Sequence, residues 1–131
     1  MTVQEWIDAY GKAWREADPE AAARLFTEEA VYRSSPFRKP HVGTAGVRAY
    51  WTKATRDQRN LDLRFGTPIV DAEGRRAAVE WWATMDLADG SFGTLPGGLY
   101  LLFAPDGRCR ELREYWHWEA VRKRPPDGWG S

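Results

Sequence analysis

The first quarter of the chain carries apolar residues at helical spacing. One apolar stripe, whose members recur every three or four residues, is formed by Val3, Trp6, Ile7, Tyr10 and Trp14. The segment TVQE just before it places a threonine three residues ahead of a glutamate, which is a capping box. Farther on, ADPEAAARLF offers an aspartate as N-cap and a proline in the first turn. The pattern therefore predicts two helices with a short joint.

The period changes along the rest of the chain. A short strand, AVYRSSP (30–36), is followed by a loop and by a third helix, TAGVRAYWTKAT, with one apolar side. From residue 61 onward apolar residues alternate, which predicts four strands: LDLRFG, RRAAVEWWATMDL, GGLYLLF and LREYWHWEA. The turns DAEG and APDG lie between strands.

Three helices followed by an antiparallel sheet predict an α+β fold. A sheet that curls around the helices makes a cone with an internal pocket. We assign residues 1–121 to this domain and residues 122–131 to a C-terminal tail. The tail, RKRPPDGWGS, has no periodicity, so it is expected to be loose or docked by Trp129 alone.

Composition narrows the class of protein. The 131 residues suit one domain, and nineteen basic residues balance nineteen acidic ones, so neither nucleic acid nor an anionic membrane is an expected partner. The longest apolar run, LYLLF, is too short to span a bilayer. The opening residues lack a secretory pattern, and the single cysteine, Cys109, fits a reducing compartment, so a cytoplasmic location is expected. Eight tryptophans are enough to fill a wide interior or to line a pocket for an apolar ligand.

Three stretches carry a family resemblance: EWIDAYGKAWREADPEAAARLFTEEAVYRSSP, HVGTAGVRAYW and GLYLLFAPDGRCRELREYW. Over about residues 3–120 the chain resembles the NTF2-like superfamily in its SnoaL-like branch. The resemblance implies a cone of three helices on a curved sheet. Ketosteroid isomerases, limonene-1,2-epoxide hydrolases, polyketide cyclases and binding domains without known chemistry share that fold, so it does not decide the function.

The catalytic residues of these relatives are matched in this sequence to different degrees. The isomerase pattern places a tyrosine at Tyr10, but serines (Ser34 and Ser35) stand where its base belongs and Leu99 about where its second acid belongs. A serine does not abstract a proton at neutral pH without a base of its own. The Asp–Arg–Asp set of the epoxide hydrolase is missing, because the inward positions of the strand RRAAVEWWATMDL carry no charge. A cyclase needs only one acid–base residue in an apolar pocket.

Glu114 is the candidate for that residue. In LREYWHWEA it shares one face with Leu112, Trp116 and Trp118, whereas a surface strand normally keeps its charges on the wet face. A carboxyl group in an apolar interior should have a raised pKa, which suits general acid–base catalysis. We expect Tyr10 to donate a second hydrogen bond to the same ligand oxygen.

Three interpretations of Glu114 stay open at this stage. It is a proton-transfer group, or a structural or ligand-orienting group that pairs with an arginine such as Arg33 or Arg48. The third is that a bulge in the last strand turns Glu114 away from the pocket. His41, in the loop KPHVG near the expected mouth of the cone, is a candidate to assist catalysis. The histidines and the cysteine lack the spacing of a metal site, so neither a metal nor a cofactor is expected.

The expected ligand is a small, mostly apolar molecule held by the wall of the cone. The inward parity of the strands and the stripes of the helices assign this wall to Trp14, Trp51, Trp81, Met85, Leu99, Trp116 and Trp118. Two functions remain possible for such a pocket. One is cofactor-free acid–base catalysis of a cyclase, isomerase or hydrolase type, and the other is binding without catalysis.

The opposite face of the sheet is also aromatic. Trp82, Tyr115 and His117 have the outward parity, and an exposed aromatic surface of this kind usually meets a partner. Because NTF2-like proteins commonly dimerise through this face, the resemblance implies a homodimer.

Overall fold

A computed structural model describes all 131 residues and has three helices and seven strands. The helices are α1 (Val3–Arg15), α2 (Pro19–Ala23) and α3 (Gly43–Arg56). The strands are β1 (Phe26–Arg33), β2 (His41–Val42), β3 (Gln58–Phe65), β4 (Ile69–Val70), β5 (Arg76–Leu87), β6 (Phe92–Phe103) and β7 (Cys109–Trp116). The predicted α+β architecture, with three helices before a long meander, is confirmed.

The helix starts follow the local sequence. The side chain of Thr2 accepts a hydrogen bond from the backbone of Glu5, and the Glu5 carboxylate accepts one from the backbone of Thr2, so the predicted capping box is confirmed. Asp18 caps α2 by accepting from the backbone N–H of Ala21. These caps satisfy donors that would otherwise have no partner at the first turn.

The second helix is shorter than the sequence predicts. It ends at Ala23, before the Leu25–Phe26 pair that the apolar pattern placed inside it. The carbonyl of Leu25 instead accepts hydrogen bonds from the indole N–H of Trp6, at 2.9 Å, and from the backbone N–H of Cys109. These two distant partners hold the backbone outside a helix, so β1 begins four residues earlier than predicted.

The seven strands form one curved sheet in the order β2-β1-β7-β6-β5-β3, with β4 paired to β5. All pairs are antiparallel except β1 with β7, which is parallel. Register shifts interrupt the ladders of β1 with β7, β3 with β5, and β6 with β7, and such bulges bend strands. The edge strands β2 and β3 do not pair, so the sheet wraps the helices without closing into a barrel.

The core lies between the concave face of this sheet and the helices. The ring of Trp6 stacks on Tyr10 at 5.1 Å and meets Phe26 and Phe103 edge-on. Helix α3 adds Val47, which is fully buried. The predicted apolar stripe of α1 therefore faces the sheet. A cavity remains beside the C-terminal end of the stripe, at Tyr10 and Trp14.

The C-terminal tail is ordered against the convex face. The indole N–H of Trp82 donates to the carbonyl of Lys123 at 2.9 Å, and the rings of Trp82 and Trp129 lie edge-to-face at 6.0 Å. The backbone N–H of Thr67 donates to Gly130 at 2.7 Å. Of the two alternatives that the sequence left for the tail, the structure has the docked one, with Trp129 and several backbone contacts holding it.

None of the three helices is both long enough and apolar enough to cross a membrane.

Candidate functional site

A cavity of about 120 Å³ lies between α1, α3 and the concave face of the sheet. It has room for about four water molecules, at roughly 30 Å³ each. Ligand pockets for drug-sized molecules usually exceed about 300 Å³. Its aromatic wall consists of Tyr10, Trp14, Tyr32, Tyr50, Trp51, Trp81 and Trp116, and the remaining lining residues are Ala54, Thr55, Gln58, Met85, Leu95 and Glu114.

Glu114 enters this cavity through the alternation of β7. Leu112, on the same face, is fully buried, while Tyr115 points outward and is 54% exposed. On the neighbouring strand β6 the register partner of Glu114 is Leu99, which is buried in the core. The strand therefore carries one carboxyl group into an apolar interior, where only 6% of the residue surface remains exposed.

The Glu114 carboxyl group has no hydrogen-bonding or charged partner in the protein. Burial alone raises its pKa from 4.5 to about 8. Of the two arginines that the sequence offered as partners, Arg33 lies 3.7 Å from Glu111 and Arg48 lies 2.5 Å from Glu20. Glu114 is consequently a neutral acid at pH 7 and holds a proton that no other side chain shares.

Three tyrosines surround the acid. The hydroxyls of Tyr10 and Tyr32 lie 2.9 Å apart in a hydrogen bond, and Tyr50 packs on Tyr32 with 5.1 Å between ring centres. Burial, reinforced by the nearby charge of Glu114, raises the pKa of each hydroxyl. These tyrosines therefore stay neutral and act as hydrogen-bonding groups. Tyr10 lines the cavity as the sequence suggested, but its hydroxyl is bonded to Tyr32.

Tyr32 and Tyr50 were not among the predicted site residues. Tyr50 lies on the apolar side of α3, so its helical spacing marked it as core. Tyr32 lies on β1, whose predicted bounds were displaced, and no sequence feature links that strand to the pocket. The proximity of Tyr32 to Glu114 comes from the parallel pairing of β1 with β7, in which Tyr32 is the register partner of Leu112, and Tyr50 packs on Tyr32 from α3.

Two indole N–H groups of the wall have no partner. The nitrogens of Trp51 and Trp81 are buried without any hydrogen bond. In contrast, Trp14 donates to the side chain of Gln58 at 2.8 Å, and Trp116 donates to the carbonyl of Ser34 at 2.9 Å. A buried donor left without an acceptor costs about 1–3 kcal/mol. The residues of the wall thus include one acid that lacks a partner and two indoles whose N–H groups are fully buried without an acceptor.

His41 does not line this cavity. Its ring lies 4.4 Å from that of Tyr50, and its Nε2 is 3.3 Å from the hydroxyl of Ser34. It borders a separate surface depression next to α3, with Ser34, Arg38 and Tyr50. Burial lowers the pKa of His41, so the imidazole is neutral at pH 7. Tyr50 borders both spaces, which places His41 behind the cavity wall.

Five of the seven residues that the sequence assigned to the wall line the cavity. Trp14, Trp51, Trp81 and Met85 line the cavity, and Trp116 lines it from the mouth, where it is 44% exposed. Leu99 and Trp118, which the sequence also assigned to the wall, are not among the residues that line this cavity. The side chain of Leu99 lies in the core without reaching the cavity. Trp118 lies beyond the end of β7, where the alternation of faces stops, and its ring covers Gly93.

The convex face is divided by the tail. Trp82 is half-buried beneath the segment that contains Lys123 and Trp129, whereas Tyr115 and His117 remain exposed. The three residues of the predicted dimer face therefore differ in accessibility.

Comparison with known proteins gives one family match. The model of the SnoaL-like domain matches residues 3–124. Among curated proteins, no sequence matches this chain significantly.

Several solved structures share the fold. The epoxide hydrolase/cyclase-like enzyme SalBIII, which has a role in pyran ring formation in the polyether salinomycin, is 20% identical, with a TM-score of 0.76 over 87% of this chain and 89% of its own. A protein of ketosteroid isomerase-like fold from Catenulispora acidiphila, in complex with trimethylamine, is 15% identical, with a TM-score of 0.75 over 88% and 86%. Δ5-3-ketosteroid isomerase from a Mycobacterium species is also 15% identical, with a TM-score of 0.75 over 89% and 98%. At these identities the likeness concerns the fold alone.

Proposed function

Because this chain belongs to the family of SnoaL-like domains, as its sequence resemblance predicted, we propose that it binds a small, mostly apolar molecule in the aromatic cavity. Glu114 exchanges a proton with that molecule, in cofactor-free acid–base chemistry of the cyclase, isomerase or hydrolase type. The observation that carries the proposal is the buried, unpartnered carboxyl group of Glu114 at the cavity wall. A buried acid with a pKa near neutrality is the ordinary form of a general acid–base group.

The surroundings of Glu114 support this role. A molecule bound against this mostly aromatic lining displaces water from the cavity, so Glu114 passes its proton to that molecule when the molecule can accept it. Tyr10 and Tyr32 share one hydrogen bond but contain two hydroxyl protons, so one proton of the pair is available to a ligand. This pair supplies the neutral donor that we expected from Tyr10 alone.

The size of the cavity limits the molecule. A space of about 120 Å³ admits a group of a few non-hydrogen atoms. A steroid or a polyketide fits only if Trp116 moves away from the mouth, where it is held by one hydrogen bond to Ser34. A compact ligand, or a compact group at the end of a longer one, therefore suits this site better.

Binding without catalysis is the second candidate, and one observation favours it. His41 lies outside the cavity, so Glu114 is the only lining group with a pKa near neutrality. Under this alternative the carboxyl group orients the ligand and transfers no proton.

Proton exchange in deuterated water separates the two candidates. A panel of small ketones and esters, with and without an amino group, is incubated with the protein, and exchange of C–H for C–D is followed by NMR. We expect the native protein to exchange at least one member, and Glu114→Gln to lower that rate by about 100-fold or more, since general acid–base groups contribute factors of this size.

Glu111→Gln is the matched control. It lies on the same strand, and its carboxylate pairs with Arg113 on the outside of the sheet at 2.6 Å. Equal exchange rates in the native protein and in Glu114→Gln would contradict catalysis by Glu114. Saturable binding of panel members without any exchange would support the binding protein.

A further inference from the structure

The cavity is electron-rich and contains no positive charge. Seven aromatic rings and one carboxyl group line it, while no lysine, arginine or histidine does. The faces of aromatic rings carry partial negative charge and attract cations, and cages of such rings recognise quaternary ammonium groups. A bound anion would lie beside Glu114 with no basic group to balance it.

The aromatic rings of the wall pack against one another edge-to-face. Tyr10 and Trp51 meet at 82° with their centres 5.2 Å apart, and Trp14 and Trp81 meet at 75° with their centres 5.1 Å apart. Tyr10 and Trp14 are also nearly perpendicular, at 81°. Edge-to-face pairs at about 5 Å are in direct contact, so these four rings form one continuous aromatic wall beside the carboxyl group of Glu114.

We propose that this cavity binds a small alkylammonium ion of about the size of trimethylammonium, whose charge is neutralised by the buried carboxylate of Glu114. The inference rests on the proposed function, because it names the class of molecule that binds at the same carboxyl group. A trimethylammonium group has four non-hydrogen atoms, which agrees with a space for about four waters. Its methyl groups match the apolar wall, and its charge matches the only acid.

The proton of Glu114 leaves when the cation binds. If the ligand is a permanently charged ammonium ion, the O–H bond of the carboxyl group breaks and the proton goes to solvent. If it is a neutral amine, the same proton moves to the nitrogen. Either way the cavity contains one carboxylate and one ammonium group, and its net charge is zero.

The loss of this proton predicts the direction of the pH dependence. Below the pKa of Glu114, about 8, binding of a permanent cation must release a proton, so affinity rises about tenfold per pH unit and levels off above it. A neutral ligand that accepts a hydrogen bond from the carboxylic acid shows the opposite trend, because it loses its donor as the pH rises.

Calorimetric titration with choline and its uncharged isostere, 3,3-dimethylbutan-1-ol, tests the proposal between pH 6 and 9. The two probes have the same shape and differ in charge. We expect choline to bind at least tenfold more tightly than the isostere at pH 9, with an affinity that rises from pH 6 to 8. Glu114→Gln should remove the pH dependence and weaken choline binding by at least tenfold at pH 9, while the isostere binds at least as tightly as it does to the native protein. Glu111→Gln should behave as the native protein.

Each alternative outcome has a distinct meaning. Equal affinity of the two probes at pH 9, or an unchanged choline affinity in Glu114→Gln, overturns the ammonium ligand and leaves the proposed small-molecule site standing. Failure of both probes to bind overturns the proposal that the cavity binds a small alkylammonium ion. The panel experiment above then tests the proposed function separately. Retained or tighter binding of the isostere by Glu114→Gln shows that the variant has an intact cavity.

Discussion

The buried carboxyl group of Glu114 lowers the stability of the folded protein above pH 4.5, and it has no protein partner that would keep it from contacting a ligand. Its carboxyl group is moved out of water into an aromatic wall, and no arginine, lysine or backbone N–H offsets the cost of ionising it there. A glutamine of the same shape would not carry this ionisation cost. The carboxyl group therefore makes measurable predictions about the empty protein, without any ligand.

The first prediction concerns the titration of this one residue. With the side-chain carboxyl carbons of glutamate labelled with ¹³C, the resonance missing from Glu114→Gln should titrate near pH 8, because burial disfavours the charged form. The other glutamates serve as internal references. A Glu114 resonance that titrates near pH 4 would contradict both the burial and the role that we assign to it.

The second prediction concerns stability against pH. The pKa of Glu114 is raised from 4.5 to about 8. Below pH 4.5 the group is therefore protonated in both the folded and the unfolded chain, and its ionisation does not lower the free energy of unfolding. Between pH 4.5 and 8 only the unfolded chain loses the proton, so the free energy of unfolding falls by about 1.4 kcal/mol per pH unit from this group. Above pH 8 the loss is complete.

Urea denaturation at pH 5, 6, 7 and 8 checks this slope. The free energy of unfolding of Glu114→Gln minus that of the native protein should increase steadily over this range, by a few kcal/mol in total. Glu111→Gln is again the control, since its carboxylate is partly exposed and ion-paired. A constant difference across the range would mean that Glu114 ionises freely in the folded state.

At the scale of elements, a glycine in β6 leaves space for a tryptophan of the cavity wall. Gly97 is the register partner of Trp81, whose indole ring lies directly over it. A Cβ atom at Gly97 would fall 2.3 Å from the ring, which real contacts essentially never show. The orientation of Trp81 in the cavity therefore depends on a glycine in the neighbouring strand.

The third prediction compares two adjacent glycines. Gly97→Ala should lower the free energy of unfolding by about 1–3 kcal/mol, as overpacked cores do, and should alter the near-ultraviolet circular dichroism of the tryptophans. Gly98→Ala is the matched control, because the nearest atom to its added Cβ is a carbonyl oxygen at 3.7 Å. Equal effects of the two substitutions would show that the ring of Trp81 does not rest on Gly97.

At the scale of the whole molecule, the tail and the predicted dimer face compete for the same side of the sheet. Trp82, assigned to that face by parity, is already covered by Trp129 and bonded to Lys123. Tyr115 and His117, nearer to β7, remain exposed. We propose that a homodimer interface, if formed on the convex side, is centred on Tyr115 and not on Trp82.

The fourth prediction tests this interface. Sedimentation velocity at micromolar concentration should give twice the mass of one chain for the native protein and the mass of one chain for Tyr115→Arg, because a charge buried in an interface without a partner is costly. Phe37→Arg is the control, since Phe37 is an aromatic residue that is 97% exposed and lies in the loop between β1 and β2, outside the convex-face positions of β7. A native protein that sediments as a monomer would contradict the dimer.

Local patterns in the sequence determined the elements and much of the fold. Capping at Thr2 and Asp18, the stripe that contains Trp6 and Tyr10, and the alternation in β5 are interactions between residues close in the chain. The alternation of β7 also put Glu114 on the same face as Leu112, because side chains of a strand point to opposite faces in turn. Such features depend on geometry that each segment has by itself.

The composition of the site was decided by the tertiary structure. Pairing of β1 with β7 brings Tyr32 to Glu114, and the end of β7 takes Trp118 away from the cavity. Tyr50 separates His41 from the space that the sequence assigned to it. These contacts join residues far apart in the chain, and they depend on strand register, strand ends and the packing of helices against a bent sheet. Periodicity carries none of that information, so it indicated which residues face inward but not which of them meet.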